Sequence, residues 1–245
     1  MNTSAAEATI QKSTKQTMLL AASSAWRFAK DHWIFFCILI GIIVLRATVV
    51  DWHPLPSGSM HPTLLEGDVL VVNRLSYDVK FPFTNHILWH LQNPARGDIV
   101  VFDEPQEGRL LVKRIIGIPG DTVSLVNKAL ILNGHRAQYQ PYGPAMDYIP
   151  VGAHWSAHDF VEIVPGLPAH KIRRLDNEFP SDFATVTVPP GHYLMLGDNR
   201  DNSADFRFFG FVSEALLQGR VARVAFSEGS EITPGFGRDR LWRAP

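Results

Sequence analysis

Leu110-Leu111-Val112-Lys113-Arg114-Ile115-Ile116-Gly117-Ile118 is an apolar run with two adjacent cations at its centre and no carboxylate beside Lys113. Branched aliphatic residues followed by Gly and Pro read as a β-strand. Period-2 alternation puts Lys113 on one face with Leu111 and Ile115 and sends Arg114 to the other. On an edge strand such a lysine snorkels its ammonium into water. Inside a sheet it loses hydration, which disfavours the charged form and lowers its pKa. An ordinary lysine near pKa 10.4 is no base at pH 7, and bringing it to about 7 removes roughly 4 kcal/mol of preference for the ammonium. The run alone leaves both readings open.

Further β-like runs lie on either side, at 68–73, 98–102, 122–126 and 129–132. The last two are joined by Asn127-Lys128, a connection short enough for a hairpin. Two more, 185–188 and 192–196, flank Pro189-Pro190-Gly191, and 220–226 supplies a final strand. Helical periodicity near the C-terminus is confined to 213–218. Between 134 and 182 the texture changes: QPYGPAMDYIPVGAHWSAHDF (140–160) is rich in Pro, Gly, His and aromatics and shows no clean alternation. The expected architecture is mainly β, with an antiparallel core formed by 51–133 and 183–245. A β-rich insertion subdomain over 134–182 interrupts it, and one N-terminal transmembrane helix precedes it.

The 245 residues are 46% hydrophobic and 19% charged, which suits a globular protein with a membrane element and argues against disorder. A net charge of −1 gives no reason to expect a nucleic-acid partner. The single cysteine, Cys37, permits no internal disulfide. WIFFCILIGIIVLRATVV (33–50) carries one charge, Arg46, and as a helix covers about 27 Å, barely enough to cross a bilayer core. Lys12, Lys15, Arg27 and Lys30 precede it against Glu7 and Asp31, so a tail over 1–30 is expected in the cytoplasm. The anchor would then occupy 31–50, with everything beyond it on the outer face of the cytoplasmic membrane. The run starts late, exceeds an ordinary signal-peptide core and has no A-x-A site after it, so a retained anchor is expected.

Two serines stand in Pro56-Ser57-Gly58-Ser59-Met60, shortly after the apolar run. Serine and glycine clusters are usually turns. Beside a desolvated lysine, however, a serine gains a base other than histidine. A neighbouring hydroxyl and an N–H are the groups that stabilise an oxyanion. The third element is Gly197-Asp198-Asn199-Arg200-Asp201-Asn202-Ser203-Ala204-Asp205-Phe206-Arg207. As a calcium loop it fails, with Ser203 where Gly belongs and Phe209 where Glu belongs. A rigid loop of Asp–Arg pairs and side-chain to backbone bonds fits better.

Taken in order, PSGSMHPTLLEGD (56–68), RGDIVVF (96–102), KRIIGIPGD (113–121) and GDNRDNSADFRFFGFV (197–212) resemble the type I signal peptidases, membrane-anchored serine–lysine endopeptidases. The resemblance implies that Ser59 is the nucleophile and Lys113 its general base. It implies that Ser57 completes an oxyanion hole with the Ser59 amide, and that Ser203 hydrogen-bonds the Lys113 amine. Asp205 and Arg207 would pair to stiffen the loop, with Asp198 a partner for Arg114. Cleavage after small residues at −1 and −3 implies shallow apolar pockets, for which Leu55, Met60, Leu64 and Val112 are candidates. Implied partners are signal-peptide-bearing pre-proteins and membrane lipid. No metal or organic cofactor is called for.

Some features depart from that pattern. His53 and Pro54 stand where apolar or amide residues are often found, and Phe206 where serine is frequent. His53 and His61 are rival bases, pointing along or away from a strand rather than at Ser59. Phe81, Phe83, Trp89, Trp155 and Phe160 are aromatics that either dip into the outer leaflet or pack in clusters. Rival classes are a repressor-type self-cleaving protease, a specialised processing peptidase and a tethered module that binds exported chains by strand addition.

Overall fold

The computed structural model describes residues 30–81, 84, 86–144, 156–176, 182–227 and 241–245. The chain divides into two units, one up to Arg46 and a second from Ala47. Helix α1, Trp33–Thr48, has 16 residues and no helix among those described is long and apolar enough to cross a membrane. It stops short of the expected span 33–50 because Val50 is already paired with Asn73 in a sheet. Trp33, Phe35, Ile38 and Ile42 on this helix are all exposed. Residues 1–29 of the expected tail, with Phe83 and Trp155, lie outside the described residues.

Strands follow in close succession. β1 (Val50–Pro54), β2 (Asp68–Asn73), the hairpin β3 (Asp78–Lys80) and β4 (Ile87–His90), β5 (Ile99–Asp103) and β6 (Leu110–Gly117) make the first group. β7 (Thr122–Val126), β8 (Ala129–Leu132) and β9 (His135–Arg136) come next. β10 (Gln138–Pro144), β11 (Ala157–Val164) and β12 (Leu167–Leu175) fall within the insertion expected over 134–182. β13 (Phe183–Thr187), β14 (His192–Leu196), the short helix α2 (Phe206–Phe209), β15 (Val212–Ser213) and β16 (Leu217–Ser227) complete the described order.

The large sheet runs β1-β2-β16-β5-β6-β14-β15. β6 is therefore an interior strand, antiparallel to β5 on one side and β14 on the other, with Val100 opposite Lys113. The edge-strand reading of Lys113 is excluded. β16, late in sequence, lies between β2 and β5 and joins the two parts of the sheet. One side packs Leu55, Met60, Leu64, Leu70 and Val112 into a single cluster with residues of β5 and β16. The other gathers Tyr77, Val100, Phe102, Ile115 and Met195. Fully burying an aliphatic or aromatic side chain of this kind contributes about 1.5–3 kcal/mol.

The hairpin at Asn127-Lys128 forms as expected, and both residues take left-handed backbone, φ 50° and 59°, as a two-residue turn matched to strand twist requires. The strand expected at 185–188 is displaced to Phe183–Thr187, because the Val188 N–H donates instead to Asp121 O across a loop. The helical stretch expected over 213–218 is a single 3-10 turn rather than an α-helix. The turn covers Glu214–Leu216, and Leu217 then pairs with Phe102. A helix this short does not recover its nucleation cost, whereas the sheet offers ready partners. The inserted region is a three-stranded antiparallel sheet, β10-β11-β12. Its strands hide from alternation because buried positions carry Asp159, Glu162, His170 and Arg173.

Candidate active site

Ser59 sits in a 3-10 turn, Gly58–Met60, between β1 and β2, with Ser57 extended just before it. The Lys113 Nζ donates to Ser59 Oγ at 2.7 Å and to Val112 O at 3.0 Å. Both residues are buried, Lys113 to 2% exposure. Desolvation lowers the Lys113 pKa to about 8, against a smaller opposite pull from Asp205 and Asp198. At that value about a tenth of the amine is neutral at pH 7, a usable population for a base. The Ser57 Oγ lies 3.5 Å from Ser59 Oγ.

The loop that follows β14 wraps this pair. The Asn199 N–H donates to Ser59 O at 3.0 Å, and its Nδ2 donates to Gly58 O at 3.0 Å. A Cβ on Gly197 would lie 2.2 Å from Ser203 Oγ and 2.6 Å from Ser59 O, so only glycine fits there. Asp205 accepts from Arg207 Nε and Nη2 at 2.8 and 2.7 Å and from the Gly197 N–H at 3.1 Å. Arg114 makes a bidentate pair with Asp198, at 2.8 and 2.7 Å, and donates to Gly97 O at 2.9 Å. Burial alone raises the Asp198 pKa, but Arg114 and the Thr63 hydroxyl more than reverse it.

One expected contact is not made. Ser203 Oγ is buried with no hydrogen-bond partner among the described residues, and the Lys113 amine is engaged by Ser59 and Val112 O instead. Ser203 stays over Gly197, held by the close approach of the loop. Neither histidine adjoins the lysine's role. His53 faces Asp51 at 3.2 Å, and His61 Nδ1 lies 3.2 Å from Arg173 Nη1. Leu55, Met60, Leu64 and Val112 come together in one cluster, each at most 9% exposed. Phe206 packs between Phe183 and Phe211. Phe160 is half-buried against Tyr139, whereas Phe81 and Trp89 are exposed.

Sequence reasoning missed the residues that brace the loop from the inserted sheet. The Arg173 N–H donates to Asp198 O, and the Arg200 N–H donates to Arg173 O. The Arg173 guanidinium forks onto Asp159 at 2.8 and 3.0 Å. Arg200 pairs with Glu162, which also faces His170 at 3.3 Å. Burial raises the Glu162 pKa, yet Arg200 and His170 hold it well below the usual carboxylate range. The available signal was the charge density of β12, LPAHKIRRL, too basic for an ordinary half-buried strand.

A buried serine and lysine in hydrogen-bond contact, wrapped by a polar loop, are the geometry at the centre of this site. The family described as "Signal peptidase, peptidase S26" matches residues 26–226, and the chain belongs to it. Signal peptidase I of Pseudomonas fluorescens is 35% identical over 178 residues, covering 71% of this chain and 61% of that protein. Signal peptidase I of Buchnera aphidicola subsp. Acyrthosiphon pisum (strain APS) is 32% identical over 237 residues, covering 82% and 76%. A solved signal peptidase I from Enterococcus faecalis V583 is 29% identical, with a TM-score of 0.35, covering 54% of this chain and 99% of that one. This chain thus spans 61% of the length of the Pseudomonas relative.

Proposed function

We propose that the protein is a membrane-bound endopeptidase that removes N-terminal signal peptides from exported pre-proteins, cutting after small residues at −1 and −3. The observation that carries the reading is the 2.7 Å contact between Ser59 Oγ and a buried Lys113 amine whose pKa falls to about 8. Neutral Lys113 takes the Ser59 proton as Oγ attacks the scissile carbonyl. The amine then passes a proton to the leaving amide nitrogen, and water, activated by the same amine, hydrolyses the acyl-enzyme. Ser57 and the Ser59 N–H stabilise the oxyanion. Arg114, Asp198, Asp205 and Arg207 hold the loop that positions Lys113 and Ser59. Ser203, a buried hydroxyl with no partner among the described residues, turns to orient the lysine once Ser59 is acylated. Leu55, Met60, Leu64 and Val112 form the apolar floor on which the small side chains rest.

Apolar α1 belongs to a single-pass anchor extended by its flanking residues, with the N-terminus cytoplasmic and the catalytic domain outside. The all-round exposure of its large apolar side chains supports this, since a helix apolar on every face needs lipid or protein around it. Exposed Phe81 and Trp89 contact the outer leaflet. The test incubates detergent-solubilised wild type, Ser59→Ala and Lys113→Met with a pre-protein carrying an A-x-A site and maps products by mass spectrometry. Wild type cuts after the second Ala and both variants, folded, do not. Full activity in Lys113→Met would sink the mechanism.

A further inference from the structure

Asp78 opens β3, His90 closes β4, and the two are direct cross-strand partners. Opposed positions of this kind hold their Cβ atoms about 4.5–5.5 Å apart, close enough for the side chains to meet. Asp78 Oδ1 lies 2.9 Å from His90 Nδ1, and Glu214 Oε1 lies 3.6 Å from the same nitrogen. One donor atom from each of the three lies within 4.8 Å of the others. Tetrahedral zinc, with bonds of about 2.0–2.1 Å, separates its ligand atoms by roughly 3.4 Å. The observed spacings bracket that value.

Hydrogen bonding leaves this cluster incomplete. The Asp78 side chain is 2% exposed, and its second oxygen, Oδ2, is buried with no hydrogen-bond partner among the described residues. A buried carboxylate oxygen without a donor is costly unless a cation supplies the missing interaction. Lys80, on the same hairpin, turns its amine to the carbonyls of Ala215 and Leu217 instead. Nearby Tyr193 has its pKa pushed far up, first by burial and then by Glu214 and Asp78.

We propose that Asp78, His90 and Glu214 form a binding site for a divalent transition-metal ion, zinc by donor type, with a solvent molecule in the fourth position. One imidazole and two carboxylates suit zinc, and Asp78 Oδ1 and Oδ2 give the carboxylate freedom to swing onto the ion. The ion staples the β3–β4 hairpin to the turn that precedes β16, a structural role separate from the Ser59–Lys113 chemistry. Partial exposure of His90 and Glu214, at 46% and 26% of their side chains, gives the ion a route in.

The test uses the full chain in detergent, stripped with EDTA and titrated with zinc chloride by calorimetry, with thermal melts alongside. Wild type is expected to take up one zinc per chain and to melt at higher temperature when loaded. His90→Ala and Glu214→Gln are expected to lose at least tenfold in affinity and to lose the thermal shift. Cobalt in place of zinc should give visible absorption bands in wild type that both variants lack. Wild type that takes up no zinc at micromolar concentration overturns the site. So does undiminished binding in the variants, which assigns the zinc to other histidines. Glu214→Gln, a change at a partly exposed carboxylate, keeps the comparison decisive should His90→Ala fail to fold, and near-UV circular dichroism checks each variant.

Discussion

Lys113 and Arg114 are adjacent cations on one interior strand, and the sheet sends them to opposite fates. Arg114 reaches a carboxylate that answers it with two hydrogen bonds, and Asp198 is held ionised in return. Lys113 reaches only a hydroxyl and a carbonyl, so burial goes largely unanswered and its pKa falls to about 8. A buried charge with a matched partner fixes structure. Without one it becomes reactive, at a cost to stability that the compensated pairs around it help to offset.

The contrast is sharpest in substitution. Lys113→Met should lower signal-peptide cleavage by about 10⁴-fold or more, as loss of a catalytic base commonly does. Yet it should raise stability at pH 7 by up to about 3 kcal/mol in urea titration, because the desolvated ammonium is gone. A destabilised Lys113→Met would break the comparison. Asp198→Ala should do the reverse, costing about 3–5 kcal/mol by leaving Arg114 buried and uncompensated. The same titration reads it, and a loss under 1 kcal/mol would mean that the pair is not holding the loop.

The pH dependence separates the two environments. The penalty on Lys113 is fully present below about pH 8 and fades as pH rises toward the unfolded value of 10.5, so its contribution to stability improves across that window. Cleavage efficiency should climb with pH and level off above about 8. Glu162, with its pKa depressed by Arg200 and His170, contributes stability above the unfolded carboxylate range and loses it as pH falls through the folded value. Chemical denaturation across pH, on wild type and on Glu162→Gln, checks both signs.

Smaller effects refine the picture. Asn199→Ala should cost about 1–2 kcal/mol, since it strips the donor from Gly58 O while the backbone bond to Ser59 O survives. Ser203→Ala should change stability by less than about 1 kcal/mol, because it removes a hydroxyl that has no partner among the described residues. A modest fall in turnover with an unchanged folding midpoint would sharpen its proposed role at the acyl-enzyme stage.

The strands flanking the site were legible because they obey simple periods: β2, β7, β8 and β14 fall where alternation and turn residues put them. The contacts of Ser59 with Lys113, Arg114 with Asp198 and Asp205 with Arg207 also follow the motif order. The inserted sheet was illegible for a physical reason. Its inward positions carry Asp159, Glu162, His170 and Arg173, which read as solvent-facing until their partners are known. Ser203 failed differently. Its hydroxyl was assigned a partner by motif, whereas the fold packs it against Gly197. The Asp78–His90 pairing rests on a hairpin too short, three and four residues, to announce itself by period.

The position of β16 carries a consequence in time. Ser59 lies in the connection between β1 and β2, Lys113 on β6, and the strand that bridges β2 to β5 begins only at Leu217. A growing chain can carry both residues long before that bridge exists. The chain is thus synthesised with its sheet still in two pieces, and the two halves that carry Ser59 and Lys113 are joined only when the last strand closes the seam. On the proposed reading, the order of the strands leaves nucleophile and base on separate pieces of sheet until the last strand is made.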